Sequence, residues 1–145
     1  MRTWKISESD VSVRGDGWLN ELKGYERVAQ EMACWLLEPV GTDPLYPNFG
    51  SRLSEMVGTA IGTGTLEDVR QEVSRVLGNY MSYTKARIEE SRTLDAATFM
   101  EMWGGGEVLS SIDSVQVDAS GDTVRVLVTF SMSDGTQATV EQSVQ

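Results

Sequence analysis

Apolar residues recur along this chain with two different periods, and the change of period divides it into a helical part and a strand part. From Tyr25 to Glu38, the residues Val28, Met32, Trp35 and Leu36 stand at helical spacing, which puts them on one buried face. Pro39 and Gly41 stop that helix. Phe49, Leu53, Met56 and Val57 predict a short second helix ending at Gly58. In the third and longest, Leu66, Val69, Val73, Val76, Leu77, Tyr80, Thr84 and Ile88 follow one seam to about Ser91, a rod of roughly 39 Å. Its far end is expected to project beyond a small core. Thr65, in Gly62-Thr63-Gly64-Thr65, is the expected N-cap, with Glu67 and Asp68 in the first turn, where the helix dipole favours negative charge.

The period falls to two toward the C-terminus. Val115 and Val117 alternate with polar residues, and Ser120-Gly121-Asp122 makes a turn. Val124, Val126, Val128 and Phe130 then alternate with Arg125, Leu127, Thr129 and Ser131. After the turn Ser133-Asp134-Gly135-Thr136, Ala138 and Val140 mark a weaker third strand. At the other end, Trp4 with Ile6 and Val11 with Val13 predict one or two short strands or an extended arm, with a turn at Gly15-Asp16-Gly17. Between helices and sheet, Leu94 to Trp103 is an amphipathic stretch showing Phe99, Met102 and Trp103 before Gly104-Gly105-Gly106. It forms either a satellite cluster under a loop or an exposed docking patch.

These elements predict one α+β domain over residues 1–145. It has an N-terminal extended arm (1–23), a helical part (24–91) of two short helices and one long one, a linker or insertion (92–107), and a C-terminal antiparallel β-meander (108–145). The helices pack on one face of that meander. A chain of 145 residues with 40% hydrophobic content is long enough to bury most of its apolar surface in a single core.

Charge and composition narrow the function. Twelve basic against 22 acidic residues give a net charge of −10, which repels phosphate backbones and anionic membranes, so neither is an expected partner. Cys34, the one cysteine, lies within an apolar helical pattern and reads as a small core residue. No signal-peptide core or spanning apolar run is seen, so the expected place of synthesis and assembly is the cytoplasm. The absence of histidine removes the commonest general base, the usual nucleophile pairs and most zinc sites. A glycosidase-type carboxylate pair drawn from Glu21, Glu26, Glu31, Glu38, Glu101 and Glu107 is the remaining hydrolytic option, and no spacing singles one out. The loop at Gly62 lacks the strand and lysine of a phosphate-binding loop. No catalytic residue, metal site or cofactor is expected, and the chain reads as a non-enzyme.

Two features direct attention to assembly instead. The meander has two edges, and neither proline nor lysine occurs between Val115 and Gln145 to discourage pairing. The partner at an edge is either the chain's own N-terminal segment or a strand from another protein. The second feature is the segment from Thr42 to Leu53, which sets Pro44, Pro47, Phe49 and Gly50 between two helices as a fixed corner.

That segment resembles the signature of the phage baseplate wedge and sheath-initiator family, which also carries a "lysozyme-like" label. The pattern is Thr or Asp, four residues, Pro, one residue, an aromatic, Gly, two residues and Leu. Thr42, Pro47, Phe49, Gly50 and Leu53 match it, and the order of elements matches from about Asp16 to Val140. The resemblance implies a structural protein of a contractile bacteriophage tail that joins the baseplate wedge to the tail sheath and nucleates sheath polymerisation. Several copies would surround the tail tube of the virion. The implied sheath interface is the strand region of Val115, Val117, Val124, Val126, Leu127, Val128 and Phe130. The family's Glu-Pro-Arg motif, which contacts the wedge, has only a partial match in Lys85-Ala86-Arg87-Ile88. A second alignment places it near Glu107-Val108-Leu109. The implied wedge contacts are therefore Arg87 and Ile88, with Phe99, Met102 and Trp103 as replacements. An equivalent subunit of a phage-tail-like injection system would read the same way, and a peptidoglycan-cleaving enzyme is the remaining alternative.

Overall fold

The computed structural model describes residues 3–7, 10–11, 16, 20–57 and 63–145. Four two-residue strands, β1 (Thr3–Trp4), β2 (Ile6–Ser7), β3 (Asp10–Val11) and β4 (Glu21–Leu22), precede the helices α1 (Gly24–Leu37), α2 (Leu53–Val57), α3 (Thr63–Ser91) and α4 (Ala96–Trp103). The chain ends in β5 (Leu109–Ser120), β6 (Thr123–Met132) and β7 (Gln137–Val144). These last three form an antiparallel sheet in the order β5-β6-β7. With α1 lying against β7 and α3 against β5, the architecture is α+β with a C-terminal antiparallel meander.

The core lies between the two layers. Val28, Met32, Trp35 and Leu36 from α1 meet Val69, Val73, Val76, Leu77 and Tyr80 from α3, and both sets pack on Val124, Val126, Val128 and Phe130 of β6. The periods of 3.6 and 2 are the cause, because each puts every apolar residue of its element on one side. Fully burying one such side chain contributes about 1.5–3 kcal/mol, which ties the layers together.

Several boundaries differ from the sequence expectation. α3 begins at Thr63, so Thr65 lies inside its first turn and is not a cap, and the first turn holds no acid. Phe49 stands outside α2, in a turn closed by its N–H donating to the Tyr46 carbonyl (2.9 Å). The far end of α3 is not bare, since Thr84 and Ser91 are buried. β5 starts at Leu109, within the expected β part, but carries register shifts between Leu109 and Ser111 and between Ile112 and Ser114. Two bulges put Leu109, Ile112 and Val115 three residues apart, and that spacing conceals the alternation that marks a strand.

The N-terminal strands pair with each other, β1 with β4 and β2 with β3, rather than with the large sheet. Asp16 is in a turn, while Val13, Gly15, Gly17, Gly58 and Gly62, which the sequence reading also used, lie outside the described residues.

Candidate functional site

The corner from Pro39 to Leu53 is stapled to α1 by backbone. Ser51 N–H donates to the Glu38 carbonyl (2.7 Å) and Val40 N–H donates to the Ser51 carbonyl (3.1 Å), giving a short parallel bridge between Pro39 and Ser51. The Ser51 hydroxyl donates to the Leu36 carbonyl (2.5 Å), satisfying one of the carbonyls that the end of α1 leaves open. Gly50 sits at φ +97°, and a Cβ there would lie 2.5 Å from the Glu38 oxygen and 2.8 Å from that of Pro39. Both the backbone angle and the space require glycine.

Rings complete the staple. Phe49 meets Trp35 edge to face at 4.9 Å between centroids, and Tyr46 meets Tyr83 of α3 at 5.3 Å. Leu53 is fully buried. Pro47 holds the second position of the turn from Tyr46 to Phe49, the place its fixed φ suits. Beside the corner, Trp35, Tyr46, Pro47, Asn79 and Tyr83 line a cavity of about 300 Å³.

α3 holds the same corner from the other side through Glu72. Its carboxylate accepts from Arg75 Nη2 (2.6 Å) and from the Arg52 N–H just ahead of α2 (2.9 Å). The hydrogen bond from Arg75 holds the Glu72 pKa below its ordinary value, outweighing burial, and the Arg52 amide adds to it. A carboxylate with a lowered folded pKa stabilises above its unfolded value of 4.5, and that contribution is lost as pH falls through the folded pKa. Glu72→Gln is expected to cost about 1–2 kcal/mol at pH 7 and almost nothing in acid beyond the folded pKa. Urea unfolding at both pH values measures it, and a cost that does not change with pH would refute it.

A second cluster joins α1 to the segment after α4. Arg27 is 1% exposed; its Nη1 pairs with Glu31 Oε1 (2.8 Å), its Nε with Glu107 Oε2 (3.3 Å), and its Nη2 donates to the Glu107 carbonyl (2.6 Å). Its guanidinium lies over Trp103, 5.8 Å from the ring centroid. The Tyr80 hydroxyl donates to Glu31 Oε2 (2.8 Å). Burial is the largest single influence on Arg27 and would lower its pKa, but Glu31, Tyr80 and Glu107 together outweigh it and the net shift is upward. Burial, with the Glu31 charge behind it, pushes the Tyr80 phenol well up.

This cluster takes in two of the six acids considered for a hydrolytic pair. Glu31 and Glu107 both face the same guanidinium, whereas Glu21, Glu26, Glu38 and Glu101 are exposed. Such an arrangement suits a clamp between elements. Cys34 is half-buried, and burial, reinforced by Glu38 and Glu31, pushes its thiol pKa up and away from nucleophile chemistry. Among the described residues, no group of three or more His, Cys, Asp or Glu could hold a metal ion.

The sheet corrects the expected pairing surface. β6 is the central strand, in register with β5 on one side and β7 on the other, so Val124, Val126, Leu127, Val128 and Phe130 have no free backbone edge. Their apolar side chains were strong sequence signals because they form the core. Of the two candidates on β5, Val117 is buried and Val115 is 37% exposed. Among the described residues no strand pairs with the outer edge of β5 or of β7. The named interface residues stop at Phe130, although Ala138 and Val140 already mark β7 as a third, weaker strand of the same sheet. Its position was the available clue, since the last strand of a simple meander lies at an edge.

The wedge candidates gather near the end of α3 and on α4, but they do not form one exposed patch. Arg87 lies over the Tyr83 ring (5.3 Å), Ile88, Phe99 and Met102 are half-buried, and Trp103 is buried with no hydrogen-bond partner for its indole nitrogen among the described residues. The exposed apolar positions here are Leu94 (43%) and Met100 (62%), which the sequence reading did not select. They flank a cavity of about 390 Å³ with Arg92, Ala96 and Phe99. Asp95 caps α4, accepting from Thr98 N–H (3.0 Å) and its hydroxyl (2.6 Å).

No protein-family model, no curated protein and no solved structure matches this chain.

Proposed function

We propose that this chain is a structural component of the baseplate wedge of a contractile phage tail, joining the wedge to the tail sheath and starting sheath polymerisation by strand pairing. The observation that carries the reading is a three-stranded sheet whose outer edges have no strand partner among the described residues. That sheet is backed by helices and by a stapled corner that bears the signature from Thr42 to Leu53. Each added main-chain hydrogen bond contributes only about 0.5–1.5 kcal/mol net, but a ladder of them repeated over several copies around the tube fixes a register. The charge of −10 favours protein partners over DNA or anionic lipid. Arg87, Ile88, Phe99 and Met102, with Leu94 and Met100 beside them, would meet the wedge proteins. On this reading the chain needs no cofactor and resides in the tail baseplate after assembly in the host cytoplasm.

The test is sheath assembly followed by light scattering and electron microscopy, using a contractile-tail sheath protein. A substoichiometric amount of the chain is expected to shorten the lag severalfold and to leave sheaths that start from it. An unchanged lag sinks the proposal. Peptidoglycan turbidity run in parallel addresses the hydrolytic alternative: clearing that disappears in Glu31→Gln or Glu107→Gln would replace it.

A further inference from the structure

The hydrogen bonds of the β6–β7 turn determine which backbone groups of β7 point outward. Met132 N–H donates to the Thr136 carbonyl (2.8 Å) and Gly135 N–H to the Met132 carbonyl (3.0 Å), so Met132 and Thr136 form a hydrogen-bonded pair. Bonded and non-bonded pairs alternate along an antiparallel ladder. From the register, Ala138, Val140, Gln142 and Val144 then bond to Phe130, Val128, Val126 and Val124. Gln137, Thr139, Glu141 and Ser143 direct their N–H and C=O away from β6, and all four are exposed.

On β5 the same alternation turns the backbone of Val115, Val117 and Ala119 outward, because their neighbours Ser114, Gln116 and Asp118 bond to Thr129, Leu127 and Arg125. Two bulges interrupt that edge ahead of Ser114, and Val117 is buried. Bulges bend and twist an edge strand, which blunts it against a partner. β7 keeps one register from Gln137 to Val144.

We infer that the free edge of β7 is the strand acceptor, and that its occupant is an extended segment of a different protein with apolar residues alternating with neutral or basic ones. The apolar set would continue the row of Ala138 and Val140, which already pack against the core, on the helix side of the sheet. The other set would lie beside Thr139, Glu141 and Ser143 on the solvent side, where the exposed Glu141 pairs with the equally exposed Arg125 (2.8 Å). A second copy of this chain is a poor occupant: each copy carries −10, and β7 has no basic residue to set against the Glu141 of another β7. This assignment rests on the strand-pairing reading above and adds the edge and the partner's chemistry.

Amide hydrogen exchange on the full chain, alone and with the sheath protein used in the assembly test, tests it. The amides of Thr139, Glu141 and Ser143 are expected to slow by at least about tenfold in the complex, with those of Val115, Val117 and Ala119 unchanged. Slowing on β5 instead overturns the edge assignment and leaves strand pairing standing. Slowing on β7 in the chain alone, rising with its concentration, makes a second copy the occupant and overturns the partner. No slowing together with no nucleation overturns both readings. As a functional counterpart, Thr139→Pro removes an outward N–H and no ladder bond, so it is expected to keep its far-UV circular dichroism and lose nucleation, while Val115→Pro nucleates. Nucleation by a folded Thr139→Pro counts against β7.

Discussion

Replacing Gly50 by alanine is expected to destabilise the chain by about 3–4 kcal/mol, and thermal melting should show a fall of roughly 10 °C. Two costs combine. Alanine at φ +97° is strained in any surroundings, and its methyl would lie 2.5 Å from the Glu38 oxygen and 2.8 Å from the Pro39 oxygen. Those oxygens are backbone, and the Glu38 carbonyl also accepts from Ser51 N–H, so neither moves without opening the bridge that starts the corner. Ser51→Ala, which loses the hydroxyl's bond to the Leu36 carbonyl and the long one it accepts from the Leu53 N–H (3.4 Å), is expected to cost about 1 kcal/mol. Equal costs for the two variants would mean that the corner yields easily and is not a rigid element.

Arg27→Met is expected to cost about 3–5 kcal/mol at neutral pH, although methionine keeps much of the aliphatic stem. The loss comes from Glu31 and Glu107, which would remain largely buried without their shared cation. The Glu107 carbonyl would lose its donor as well. Urea unfolding of Arg27→Met, Glu31→Gln and the double variant measures this directly. The double variant is expected to be less destabilised than the sum of the singles by about 1–3 kcal/mol, because neutralising Glu31 removes part of what Arg27 answers. Strict additivity would show that Arg27 acts by packing under Trp103 and not by charge.

The long elements were the legible part of the chain, for a local reason. α1 and β6 bury one side completely, so their periods appear in sequence as Val28, Met32 and Trp35 and as Val124, Val126 and Val128. The corner was legible too, since a proline, an aromatic and a glycine in fixed order constrain backbone whatever surrounds them. The start of β5 was not, because two bulges shift its phase. The Arg27 cluster was also hidden. An arginine on a helix reads as a solvated charge, and its partner Glu107 lies 80 residues away.

The candidate site divides along the same line. A C-terminal sheet, helices over one face of it and a fixed corner between two of those helices are all written in local pattern, because propensity, periodicity and turn chemistry act over a few residues. The central place of β6 with its backbone bonded on both sides, the pairing of the N-terminal strands with each other and the uninterrupted edge of β7 emerge with the assembled fold. Every residue but proline carries the same backbone donor and acceptor, so side-chain pattern cannot say which of them find partners; that follows from the order and register of strands in space.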